Sequence, residues 1–175
     1  MKFDISVVQT LVQSPLGTIT LAASSKGLAG LWFEGQRHGP EALAGSGAAG
    51  WRTDACHPIL QSASQQLSEY FAGRRMQFDL PLDLSSGTAF QQTVWQALLA
   101  IRAGDTASYS DISQRIGKPT AVRAVGAAIG RNPVSIVVPC HRIIGRNGAL
   151  TGYAGGLDRK TALLKREGAL EETMF

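Results

Sequence analysis

The chain has 175 residues, 44% hydrophobic and 17% charged, enough for one ordinary globular core or two small ones and too apolar for a disordered tail. No apolar run reaches the roughly 18 residues of a membrane-spanning helix, and Met1-Lys2-Phe3-Asp4-Ile5-Ser6 lacks the basic-then-apolar order of a secretory leader. The expectation is therefore a soluble, cytoplasmic protein without a membrane partner. The formal charge of +4 is unevenly spread: residues 1–86 hold six Lys and Arg against seven Asp and Glu, and residues 87–175 hold eleven against six. A basic back half suits contact with a polyanion, and equally a solvated basic face with no partner.

The front reads as strands. Ile5 to Gln13 is mostly β-branched and apolar, Ser14-Pro15-Leu16-Gly17 is a turn, and Thr18 to Ala22 alternates again. A second turn at Ser24-Ser25-Lys26-Gly27 leads into Leu28 to Phe33, which predicts a short antiparallel meander. Gly35 to Trp51, rich in Gly, Ala and Ser, reads as loop or weak helix. Pro58 to Phe71 predicts a helix with Ile59, Leu60, Ala63, Leu67, Tyr70 and Phe71 inward and Gly73 as its stop. Met76 to Leu82 alternates and is expected to return to the sheet. Asp83-Leu84-Ser85-Ser86-Gly87 is a polar linker at the change in charge, which puts a domain boundary between residues 1–86 and 87–175.

Beyond it, Thr88-Ala89-Phe90-Gln91 has capping-box order, with Phe90, Val94, Trp95, Leu98 and Ile101 on one helical face that ends near Ala103-Gly104. Ser108-Tyr109-Ser110-Asp111 opens a second helix, with Ile112 and Ile116 inward, that ends at Gly117-Lys118-Pro119. Thr120 is placed to cap a third, Ala121 to Ile129, with Val122, Val125 and Ile129 buried. Its other side carries Arg123 and small residues, Ala124, Gly126, Ala127, Ala128 and Gly130. Two short helices joined by a glycine turn form a helix-turn-helix pattern, and small side chains let the second lie close to a DNA groove or to another helix. Val134 to Val138 reads as a short buried strand leading into Pro139-Cys140-His141-Arg142. Ile144 to Gly156 is a glycine-rich loop, and Asp158 to Glu167 a last helix with Ala162, Leu163 and Leu164 inward and Gly168 as its stop.

Two cysteines, Cys56 and Cys140, are too few for a disulfide framework and lack paired metal-ligand spacing, so at least one is expected to be a free thiol. Cys140, at the end of an apolar run, suits a buried structural cysteine or a nucleophile. The nucleophile is the thiolate and needs a base to take its proton. His141 follows directly, but adjacent side chains of an extended chain point apart, so the pair needs a turn or a bridging water to cooperate. A carboxylate on one ring nitrogen would raise the basicity of the other. Cys56-His57 is the competing pair, in a polar segment without glycine-rich walls.

The run Pro139-Cys140-His141-Arg142, with Ile136-Val137-Val138 before it, Ile143-Ile144-Gly145 after it and Thr151-Gly152-Tyr153-Ala154-Gly155-Gly156-Leu157 downstream, closely resembles the O6-alkylguanine-DNA alkyltransferase family. The likeness takes in Phe90-Gln91, Val94-Trp95, Tyr109, Ala121 to Ala127 and Asn132-Pro133, while the front half matches only loosely. The resemblance implies an α/β (α+β) protein, with a small ribonuclease-H-like antiparallel-sheet domain and a mostly helical domain carrying the helix-turn-helix and the reactive cysteine. It implies a repair protein that flips O6-methylguanine, and by extension O4-methylthymine, out of double-stranded DNA and takes the alkyl group irreversibly onto Cys140, once per molecule.

By the same resemblance His141 and Glu167 form a relay that draws the thiol proton through a water, and Asn132 is a hinge before the reactive turn. Tyr109 is implied to turn the target phosphate and donate to the flipped base, and Arg123 to fill the vacated place, with Ala124, Gly126 and Ala127 lying close in the minor groove. Tyr153, Ala154, Gly155 and Ile143 are implied to line the base pocket. At Ala154 some relatives carry a serine whose hydroxyl also reaches the guanine oxygen; here only the backbone can. Some relatives bind zinc through two cysteines and two histidines, a pattern that Cys56, His38 and His57 do not reproduce, so no metal or other cofactor is expected, and a monomer is. Two rival readings are a damage-recognition protein that does not repair, which Cys140 argues against, and a cysteine hydrolase, which leaves Arg123 unexplained.

Overall fold

The computed structural model describes residues 1–40 and 50–171, so most of the Gly/Ala/Ser-rich stretch read as loop or weak helix lies outside the described residues. The chain divides into two compact units: residues 1–88 with 133–135, and residues 89–132 with 136–175.

The first unit is built on the predicted meander. β1 (Val8–Ser14) pairs antiparallel with β2 (Gly17–Ala23), and β2 with β3 (Leu28–Phe33). A short β4 (Arg52–Thr53) joins β1 in parallel, giving the order β3-β2-β1-β4. Ile19 and Leu21, alternate residues of β2, are fully buried, as period two requires of a face turned to a core. The first helix, α1 (Pro58–Phe71), has the predicted bounds and packs on the sheet through Leu60, Ala63, Gln66, Leu67 and Tyr70, while Ile59 and Phe71 are not in its buried row. Gly73, at φ 74°, ends it by turning its N–H back to the Tyr70 carbonyl at 3.0 Å. The expected return of residues 76–82 to the sheet reduces to one parallel bridge, Leu82 to Leu28. The outer edge of β3, the last strand of the sheet, is also met by residues 133–135: Leu31 donates to the Pro133 carbonyl at 2.8 Å and accepts from the Ser135 N–H at 3.0 Å. Pairing an edge strand in this way removes a row of free donors and acceptors.

The second unit contains α2 (Ala89–Leu98), β5 (Ala107–Ser108), α3 (Tyr109–Arg115), α4 (Val122–Gly130), β6 (Ile143–Ile144) and α5 (Leu157–Arg166). The core face of α2 is Val94, Trp95 and Leu98; the Trp95 indole donates to the Ala128 carbonyl at 2.8 Å and so caps the end of α4 from inside. α3 starts on a full capping box: the Ser108 hydroxyl accepts from the Asp111 N–H at 3.1 Å, and the Asp111 carboxylate from the Ser108 N–H at 2.7 Å. Thr120 does not cap α4. The N-cap is Ala121, without a side-chain bond, and the buried row is Val125, Ala128 and Ile129, with Val122 half-buried.

Residues 134–138 are buried, as expected of an apolar run, but form no strand. Val134 makes one bridge to Leu31, and the chain then turns through Ile136 at φ 70°. A β-branched residue in the left-handed region is strained, so the surrounding packing has to hold it there.

Candidate active site

The run of residues 132–143 is buried throughout. Cys140, His141 and Arg142 form a short 3-10 turn after Pro139, which supplies the bend that an extended chain would lack. Cys140 is a free, buried thiol, 6% exposed. Its Sγ accepts from the Asn132 amide at 3.0 Å, and the same amide donates to the Val138 carbonyl at 2.7 Å. Asn132 thus joins the end of the α4 segment to the reactive turn. Burial pushes the thiol up to about 11, against the opposing pull of the Asn132 hydrogen bond and the Lys160 ammonium. The resting state is a thiol, and a nearby base is required.

His141 is fully buried, its Nε2 lying 2.8 Å from Glu167 Oε1. Glu167 also accepts from Arg142, Nε to Oε2 at 2.7 Å and Nη2 to Oε1 at 3.0 Å, while Arg142 Nη1 donates to the Ile101 carbonyl. Burial favours the neutral Glu167, but the hydrogen bonds from His141 and Arg142 win and hold it at about 2. Burial likewise pushes His141 below its usual value, against the carboxylate. A neutral His141 must donate its Nε2–H to an acceptor-only carboxylate, so its Nδ1 carries the lone pair. That Nδ1 is buried and has no hydrogen-bond partner among the described residues. The ring is thereby oriented and polarised, with one nitrogen open to accept a proton. No hydrogen bond joins Sγ to the ring among the described residues, so a proton passing between them needs a water.

Around this centre the structure brings together some of the expected residues. Tyr109 opens α3, and its hydroxyl donates to the Thr151 carbonyl at 3.5 Å, so the phenol reaches the loop that carries Tyr153, Ala154 and Gly155. Tyr153 and Gly155 are buried and Ala154 half-buried. Ile143 is fully buried in β6, and its carbonyl is taken by Lys160. On α4, Arg123, Ala124 and Ala127 lie outside the buried row and Gly126 is half-buried beside the Tyr109 ring; a Cβ at Gly126 would meet that ring at 3.6 Å, an ordinary contact. The small residues therefore leave the outer face of α4 low rather than filling a helix packing interface. Arg123 makes no ion pair among the described residues.

Sequence reasoning missed two charged residues in the centre. Arg142 is quoted in the motif, yet nothing in its position announces that it holds Glu167. Lys160 had a usable signal: it lies three and four residues before Leu163 and Leu164, on the inward face of the helix. Cys56 is an exposed thiol in the first unit, and no group of three or more His, Cys, Asp and Glu residues gathers among the described residues.

Comparison with known proteins points to one family. A family model described as the 6-O-methylguanine DNA methyltransferase DNA-binding domain matches residues 89–169, and one described as the ribonuclease-like domain of the same methyltransferase matches residues 7–84. The chain is 47% identical over 156 residues to the methylated-DNA--protein-cysteine methyltransferase of Mycobacterium tuberculosis, covering 89% of each chain. It is 45% identical over 157 residues to the protein of that name from Methanosarcina barkeri, covering 90% of this chain and 94% of the relative. Among solved structures, that of Mycobacterium tuberculosis OGT in complex with DNA superposes with a TM-score of 0.80 at 44% identity, covering 93% of each chain.

Proposed function

The chain belongs to the 6-O-methylguanine DNA methyltransferase family, and from that premise we propose that Cys140 is the acceptor onto which it takes the alkyl group of a damaged base. The activity is that of a methylated-DNA--protein-cysteine methyltransferase, a DNA repair protein working by alkyl transfer to its own cysteine. The observation that carries the assignment is the buried Cys140 sulfur, held by Asn132 beside a histidine that Glu167 orients and whose Nδ1 stands open.

In the reaction proposed, His141 Nδ1 takes the Cys140 proton through a water, and the thiolate attacks the methyl carbon in line with its bond to the guanine O6. The S–C bond forms as the C–O bond breaks, and the guanine leaves with the electron pair and takes up a proton. A donor at the base stabilises that developing charge. The Tyr109 hydroxyl, weakly held at 3.5 Å, is placed to turn to it, with N–H groups of the Tyr153–Gly155 wall as further donors. The thioether product has no labile carbonyl for water to attack, so each molecule acts once.

An in-duplex base cannot reach a buried thiol, so the base is flipped, at a cost of about a few kcal/mol, least for a weakly paired lesion. Arg123, outside the buried row of α4 and without an ion partner among the described residues, fills the vacancy, and the small residues Ala124, Gly126 and Ala127 let α4 lie close to the groove. O4-methylthymine offers the same alkoxy carbon and is included as a substrate. The relay from Cys140 through His141 to Glu167 calls for no residue of a second copy, which suits a monomer, and no described helix is long and apolar enough to cross a membrane.

Intact-protein mass after mixing with a duplex containing one O6-methylguanine tests the assignment, beside an unmodified duplex and Cys140→Ser. The expected result is one methyl in place of one hydrogen, at most once per molecule, mapped to Cys140 and absent from both controls. Lesion binding without a mass gain would leave a damage-recognition protein and overturn it.

A further inference from the structure

The transfer described above leaves one buried charge unused. Lys160 on α5 is completely buried, whereas lysine is among the side chains least often found inside. Its Nζ donates to the carbonyl of Ile143, the residue that closes the reactive turn, and to the carbonyl of Thr151 at 2.7 Å. These carbonyls lie at the two ends of the segment 144–150, one just after the thiol's turn and the other just before the Tyr153–Gly155 wall. Thr151 is also the residue whose carbonyl the Tyr109 phenol touches at 3.5 Å. When the phenol turns away, the carbonyl therefore stays satisfied, and the loop has no reason to follow.

The ammonium is also a buried charge bound to the residue that closes the reactive turn. No carboxylate pairs with Lys160 among the described residues. The other ionisable groups of the centre are His141 and Arg142 from the thiol's own turn and Glu167 from the end of α5, with Arg142 already paired with Glu167, while Tyr109 from α3 shares the Thr151 carbonyl with Lys160. Burial brings the ammonium down to about 8, while Cys140 and Lys160 each favour the other's charged form.

We propose that Lys160 is a positioning residue for the transfer: its buried ammonium clamps the Ile143 and Thr151 carbonyls so that the base-pocket loop is fixed against the reactive turn, and it balances the charge of Cys140 when the thiolate forms. This rests on Cys140 being the acceptor.

The test uses the full chain carrying Cys56→Ser, so that Cys140 is the only thiol, with Lys160→Met and Lys160→Arg, each first checked for a native melting transition. Three quantities are measured: the pH profile of Cys140 alkylation by iodoacetamide without DNA, the single-turnover rate of methyl transfer from an O6-methylguanine duplex, and affinity for an undamaged duplex. Lys160→Met is expected to move the iodoacetamide profile to higher pH, slowing alkylation near pH 8 by about tenfold for every pH unit that the profile moves. It should slow transfer by more than about tenfold while duplex affinity stays within about twofold. Lys160→Arg, which keeps the charge but replaces a point donor with a broad planar fork, is expected to restore the profile and leave transfer slow. A folded Lys160→Met protein with unchanged profile and transfer rate would overturn the proposal, and Lys160→Arg transferring at the wild-type rate would overturn the clamp. Should Lys160→Met fail to fold, Lys160→Gln replaces it with the same expected outcome. Wild-type protein that transfers no methyl would instead remove the acceptor reading, while the iodoacetamide profile, which needs no DNA, would still report on Lys160.

Discussion

Glu167 connects the base to the stability of the second unit. Its carboxyl, ordinarily near 4.5, is held at about 2 by the hydrogen bonds from His141 and Arg142, which outweigh the opposing effect of burial. A folded value below the unfolded one means stability that is present above pH 4.5 and lost as pH falls through the folded value, on the order of 3 kcal/mol in all. Glu167→Gln leaves the Arg142 guanidinium buried without its anion, which at neutral pH costs roughly 3–5 kcal/mol. Urea unfolding should therefore show a wide gap between wild type and variant at pH 7 that narrows as pH drops from 5 toward 3. The variant should also transfer methyl at least about tenfold more slowly at pH 7, because His141 loses the anion that polarises it. A gap independent of pH would mean that Glu167 is not held as a carboxylate by this pair.

At the level of elements, the capping box of α3 has a local and a functional consequence. Ser108→Ala removes one half of it and should cost about 1 kcal/mol in urea unfolding. Because Tyr109 is the first residue of that seven-residue helix, fraying there should also slow transfer. On α4, Arg123→Ala should leave the melting temperature unchanged, since the side chain lies outside the buried row and is unpaired among the described residues, yet slow methyl transfer from duplex by at least about tenfold. Transfer from a single-stranded oligonucleotide, where no base stack has to be refilled, should lose much less.

Elements with one-sided burial are the easiest to read, while β3, buried at all six residues, is bounded instead by the Ser24-Ser25-Lys26-Gly27 turn before it. Alternation along residues 18–22 and helical spacing along residues 58–71 place β2 and α1, because period two and period 3.6 each leave a mark when half the residues meet water. Residues 134–138 carry no such mark. They are buried on all sides, and an apolar β-branched run reads the same whether the backbone extends or turns; the positive φ of Ile136 is imposed by tertiary packing and leaves no trace in residue type. Thr120 is a reasonable cap by composition, but Ala121 takes the position. The centre shows the same division: Cys140, His141, Asn132 and Glu167 are reached through a motif, whereas Arg142 looks like a surface residue until its carboxylate is placed, and Lys160 is marked only by its place on the inward face of α5.

For the molecule as a whole, the charge division makes a measurable statement. With eleven basic residues against six acidic in residues 87–175, attraction to undamaged duplex should be carried by phosphate contacts. The logarithm of affinity should then fall linearly with the logarithm of salt concentration and depend little on sequence, and affinity unchanged across the salt range would count against this use of the basic half. The chain's path is a second property of the whole: between the helix bearing Arg123 and the turn bearing Cys140 it lends residues 133–135 to the edge of the first unit's sheet.

The burial of Cys140 has a consequence of another kind. A reagent that is consumed in a single event has a shelf life, and every stray encounter with an oxidant or a small electrophile subtracts from the stock as surely as a repaired lesion does. Six per cent exposure and a value of about 11 keep the sulfur protonated and sheltered while it waits, whereas Cys56 lies open to solvent and would meet such agents first. The sheltering that makes the thiol a poor nucleophile at rest is thus also what preserves the working titre of the protein until a damaged base arrives.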